Sequence, residues 1–127
     1  MRKMVVGLAA TAFVAMFVSP ALAKMETITG LLVDQECYAE NKANTKQKHA
    51  MKHGPIENCA TSCAKKGQPV ALVTPEGKIY LVIGQYTANK NSSLVAYMAH
   101  TVAMTGAISV ARDGTATISA ITIKDLQ

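Results

Sequence analysis

Between Thr101 and Val110 the chain alternates strictly: Val102, Met104, Gly106, Ile108 and Val110 are interleaved with Thr101, Ala103, Thr105, Ala107 and Ser109. A period of two sends the two sets to opposite faces of a pleated strand, which excludes a helix here and demands pairing partners. Asp113-Gly114 supplies a turn, and Thr115 to Ile123 reads as the returning strand. Upstream, Val70 to Val73 and Ile79 to Ile83 flank Pro75-Glu76-Gly77 and read as a second hairpin. Met25 to Cys37 is a strand-like run of Thr, Ile, Leu and Val, with Gly30 marking a bulge or bend. Asn91 or Ser92 is positioned to cap a helix that carries Leu94, Tyr97 and Met98 on one face. His100 falls at the end of that helix, where it would complement the negative dipole end.

The order is strand, insertion, strand, strand, helix, strand, strand. This predicts a mainly β protein, a five-stranded OB-like barrel with a helical insertion between strands 1 and 2 and a helix between strands 3 and 4. A bend glycine suits the first strand, which must serve both halves of such a barrel.

The first 23 residues are of another kind. Arg2 and Lys3 precede an apolar run from Met4 to Val18, followed by Ser19-Pro20 and the small-residue site Ala21-Leu22-Ala23. This is the pattern of a secretory signal over residues 1–23, and its apolar run falls short of the roughly 20 residues a spanning helix needs. Residues 24–127 are then one small domain, periplasmic or secreted, with no membrane span after cleavage. Lys and Arg number 13 against 8 Asp and Glu, and two of the 13 lie in the leader. So mild a surplus lacks the dense basic stripe of a dedicated nucleic-acid binder.

Residues 39–67 interrupt the strand pattern with a polar, Lys-rich segment holding His49, His53, Cys59 and Cys63. Asn44 or Thr45 would cap a short helix to His53, closed by Gly54. Pro55 would open a second helix over 55–66, ended by Gly67 and Pro69. Four residues apart on that helix, Cys59 and Cys63 share a face, and Cys37 arrives from the end of the first strand.

The residues Thr29-Gly30-Leu31-Leu32-Val33-Asp34, Cys37-Tyr38, Cys59-Ala60-Thr61-Ser62-Cys63-Ala64-Lys65-Lys66-Gly67 and Pro69-Val70 carry a likeness. The chain resembles a group of small exported bacterial OB-fold-like proteins of uncharacterised function, with a Cys…Cys-x3-Cys insertion between strands 1 and 2. The resemblance spans nearly all of residues 24–127 and implies a fold and a shared cysteine site, but no activity.

Three sulfurs outside the cytoplasm have three fates. Cys37 can bond to Cys59 or Cys63 as a structural staple, whereas a Cys59–Cys63 bond is opposed by continuous helix geometry. Cys37 can exchange between the two helix cysteines in a thiol-disulfide partner of another exported protein. Or Cys37, Cys59 and Cys63, with His49 or His53, can hold a soft metal ion, Cu(I) first and Zn(II) second. In a helix Met51 lies off the face shared by His49 and His53; it joins as a further soft donor only if that segment is not helical. The odd thiol also permits a covalent dimer.

Asp34 and Glu36 share a face near the end of the first strand, either ringing the cysteines or simply solvated. Tyr38 and Tyr86 are candidate platforms for stacking a base or sugar, Tyr80 and Tyr97 being assigned to the core, so an OB module for an oligosaccharide, peptide or nucleic acid is a separate reading. No Ser-His-Asp set or glycine-rich phosphate loop suggests an enzyme. The preferred reading is a binding protein.

Overall fold

The computed structural model describes residues 23–127; the expected signal over residues 1–23 lies, but for its last residue, outside them. In chain order the elements are β1 (Lys24–Asp34), α1 (Gln35–Glu40), β2 (His49–Met51), β3 (Gly54–Ile56), α2 (Cys59–Lys65), β4 (Val70–Val73), β5 (Ile79–Ile83), β6 (Thr101–Val110) and β7 (Ala116–Asp125).

The alternating run becomes β6, with Val102, Met104 and Gly106 turned inward. It pairs antiparallel with β7 along its whole length, with one irregularity between Thr105 and Gly106. The turn between them is built as expected: Gly114 takes a φ of +89°, and the Asp113 carboxylate accepts from the Thr115 N–H at 2.9 Å. β4 and β5 form the second hairpin.

Five strands close into a barrel in the order β1-β4-β5-β7-β6, β5 and β7 being parallel neighbours and every other pair antiparallel. Counting only the barrel strands, this is the 1-2-3-5-4 order of the expected OB-like barrel. β1 serves both halves: Lys24 to Leu31 pair with β6, and Leu31 to Asp34 pair with β4. Gly30 sits at this handover, where a Cβ would lie 2.6 Å from the Val73 carbonyl oxygen. Only the missing side chain lets the two strands approach so closely.

Leu32, Leu72, Leu94, Met98, Val102, Met104 and Ile118 are wholly buried in the barrel core. Leu94 and Met98 arrive by an unexpected route. In place of the predicted helix from Asn91 there is a 3-10 turn at Val95–Tyr97, preceded by a 3-10 turn at Gln85–Thr87 and a kinked turn at Ala88–Asn91 in which Asn89, Lys90 and Asn91 all adopt positive φ. Asn91 is buried and donates to the carbonyls of Ala64 and Gln68, which ties this segment to the end of α2. His100 has no helix end to complement and instead pairs with Asp125 at 2.8 Å.

The insertion is less helical than expected. Asp34 ends β1 early by capping α1, so Cys37 lies on a short helix rather than on the strand tip. The helix expected over residues 44–53 is absent; β2 and β3 form a small hairpin there, with Lys52 and His53 at its tip. Asn44 explains the change. Its side-chain amide accepts from the Ala50 N–H at 2.9 Å and donates back to the Ala50 carbonyl at 3.4 Å, as a neighbouring strand would. The second helix is shorter than expected, α2 starting at Cys59 because Pro55 and Ile56 belong to β3. No helix among the described residues is long and apolar enough to cross a membrane.

Candidate metal centre

α1 and α2 meet where β1 leaves the barrel, and their inner faces carry the three cysteines. Cys59 opens α2, and Cys63 follows one turn later on the same buried face. Cys37 comes from α1, whose first turn is held by the Cys37 N–H bonding to the Asp34 carboxylate at 2.8 Å. The Sγ atoms of Cys59 lie 4.0 Å from that of Cys37 and 3.8 Å from that of Cys63, and all three sulfurs fall within 4.8 Å of one another. They are 5, 4 and 9% exposed respectively for Cys37, Cys59 and Cys63. None is in a disulfide.

Side-chain hydrogen bonds fix the two helices. Asn44 donates to the Cys37 carbonyl at 3.0 Å, joining α1 to β2. Gln47 donates to the Met98 carbonyl at 2.9 Å while its oxygen accepts from the Thr61 hydroxyl at 2.8 Å, joining the insertion to both the core segment and α2. A cleft of about 240 Å³ opens over the sulfurs, lined also by Glu36, Glu40, Met51, Ile56, Ser62, Lys66 and Gln68.

Electrostatically the site favours protons on sulfur when nothing else is bound. Burial raises the Cys37 thiol well above its ordinary range, and the Asp34 carboxylate raises it further. Cys63 is pushed up to about 11, by burial first, then by its contact with Cys59 and the Asp34 charge. Asp34 is wholly buried; one carboxylate oxygen caps α1 and the other has no hydrogen-bond partner.

The cysteines therefore converge, whereas the histidines do not join them. His49 is buried on the inner face of β2, its Nδ1 without a partner, and outside the group of mutually close ligand atoms. His53 is exposed at the hairpin tip. Met51, two residues from His49 on a strand rather than a helix, shares its inward face and packs against the three cysteines.

The tyrosines do not make an open platform. Tyr38 is buried against Val33, Ala71 and Val73, with the Lys42 ammonium 5.1 Å from its ring centre. Tyr86 is half-buried against the barrel core. Glu36 is exposed at the cleft, but Asp34 is not the solvated carboxylate its strand-end position suggested.

Sequence reasoning missed Asp34 as the cap of α1 and Asn44 as the clamp of the hairpin. The first had a signal, an Asp three residues before Cys37 at the end of a strand. For Asn44 the sequence shows only a polar residue in a polar segment. Comparison with protein-family models, with curated proteins and with solved structures finds no match, so the chemistry of the centre rests on its own residues.

Proposed function

We propose that the protein is an exported binding protein whose insertion holds a soft metal ion, copper first and zinc second, through Cys37, Cys59 and Cys63. The observation that carries this reading is the spacing of the sulfurs. Thiolates bound to a metal at about 2.3 Å stand about 3.8 Å apart in a tetrahedron and about 4.0 Å apart in a planar triangle. Two of the three separations here are 4.0 and 3.8 Å and the third is within 4.8 Å, so an ion fits between the thiols with little rearrangement.

The other two fates of the cysteines are less well supported. A disulfide requires a bond of about 2.05 Å, so any pair must close by nearly half its separation, and the third sulfur is then left without a role. Thiol-disulfide exchange needs a low-pKa thiolate in an electropositive, accessible setting. Here Cys37 and Cys63 are shifted the opposite way and are buried beside a carboxylate. A metal cation reverses that balance by displacing the thiol protons, which makes binding and proton release one event.

The test is a titration of the reduced protein, residues 24–127, with Cu(I) and with Zn(II) against chelators of known affinity, read by native mass. One ion per chain is expected, and Cys59→Ser, which removes the sulfur close to both others, should abolish it while the β-sheet circular dichroism is kept. Retention of neither ion by protein with three titratable thiols would overturn the proposal.

A further inference from the structure

Three thiolates leave open what completes the centre and which ion it prefers. Neither expected histidine joins the sulfurs: His53 is at the exposed hairpin tip, and the ring of His49 stands outside the group of close ligand atoms. The side chain that does pack against the cysteine cluster is Met51, half-buried on β2 and lining the same cleft as the three sulfurs.

We infer that Met51 is the fourth donor of this centre and the residue that sets its preference for Cu(I) over Zn(II). The inference rests on the three-thiolate reading above and adds to it a role for a specific thioether.

The position is a built one. Asn44 is buried, and its amide group reaches the Cys37 carbonyl at 3.0 Å, brackets Ala50 of the same strand as Met51, and lies 4.0 Å from the Met51 sulfur. One side chain thus fixes both the helix that bears Cys37 and the strand that bears Met51. Met51 is thus kept against the cysteine cluster by the same clamp that places one of the cysteines.

The chemistry follows from the donor type. A thioether is soft, polarizable and uncharged, and it suits Cu(I), which three or four sulfur ligands satisfy. Zn(II) is borderline and completes a tetrahedron with thiolate, imidazole or carboxylate. Zn(II) would instead have to draw in Glu36 or Glu40 from the cleft wall, or take water, and in neither case does it need the thioether. A neutral fourth donor also adds no further negative charge to three thiolates that already sit beside buried Asp34.

The test compares the wild-type protein with Met51→Leu, which keeps volume and apolarity but removes the sulfur, and with Met51→His, which supplies the donor that Zn(II) prefers. Affinities for Cu(I) and Zn(II) are measured separately by chelator competition. The Leu variant should hold Zn(II) as the wild type does and lose at least about tenfold in Cu(I) affinity, since even an outer-shell partner of a metal ligand is worth about 10–100-fold. The His variant should move the Cu(I)-to-Zn(II) ratio further toward zinc. Independently, the Met51 methyl resonance should shift much further on addition of Cu(I) than on addition of Zn(II). An unchanged ratio in the Leu variant, or methyl shifts equal for the two ions, would show that Met51 only packs, and the thiolate centre would survive that result. Failure of the wild type to hold either ion would remove both readings together.

Discussion

The barrel and its insertion are built by opposite means. In the barrel, continuous backbone ladders close on themselves and an apolar interior fills with Leu32, Leu72, Met104 and Ile118. In the insertion, elements of three to seven residues are held by single side chains reaching backbone: Asp34 to Cys37, Asn44 to Cys37 and Ala50, Gln47 to Thr61 and Met98. The barrel's stability is spread over many contacts, so it supports the site without depending on it. The insertion's stability is concentrated in a few bonds around three sulfurs, which is where an added metal has the most to contribute.

The largest effect expected from this contrast is in the barrel. Leu72→Ala empties a wholly buried position and should cost about 2–5 kcal/mol of global stability. In conditions where the variant is still folded, its metal stoichiometry should be that of the wild type. Denaturant unfolding paired with a metal titration checks both statements. A folded Leu72→Ala protein that no longer binds metal would show that the two regions are one cooperative unit.

A smaller and more local effect is expected from Asn44→Ala. Removing the amide takes from both backbone groups of Ala50 their Asn44 partner and leaves the Cys37 carbonyl only its bond from the Asn41 N–H, and a buried unsatisfied group costs about 1–3 kcal/mol. The loss should appear as faster amide exchange in α1, β2 and β3, with the ladders of β6 and β7 unchanged, and as weaker metal binding. Uniform acceleration across the barrel would break the distinction between the regions.

The same contrast explains what could be read in advance. β6 and β7 were legible because alternation repeats over ten residues, and Gly30 because a strand shared by two halves of a barrel needs a close approach. The convergence of Cys37, Cys59 and Cys63 was legible from a four-residue spacing and the place of the insertion in the topology. The hairpin at His49–Met51 was not, since plausible caps at Asn44 and Thr45 suggested a helix. What overrides them is one amide bonding to Ala50, an interaction with no periodicity. The positive φ at Asn89, Lys90 and Asn91 is equally silent, and it accompanies the Asn91 side chain reaching across to the Ala64 carbonyl of α2. Elements that rest on a ladder announce themselves; those that rest on a single side chain do not.

The smallest effect concerns the metal-free protein at high pH, and it sharpens the contrast because it arises wholly in the insertion. Cys63 is raised from 9.0 to about 11 in the folded chain, so above pH 9 the unfolded chain has given up a proton that the folded chain still holds. Stability from this thiol is therefore complete below pH 9 and is lost as the pH rises toward 11. Cys37, raised in the same direction, extends the loss to still higher pH. Reduced, metal-free protein should show a falling unfolding midpoint over that interval, and Cys63→Ser should fall less steeply. Asp34→Asn should lower both thiols by removing the neighbouring negative charge, moving the thiolate absorbance titration to lower pH. It keeps an oxygen to cap α1, so the shift should come with little change in helix content. Thiol titrations that do not respond to Asp34→Asn would mean that burial alone sets them, and that the carboxylate serves the helix rather than the sulfurs.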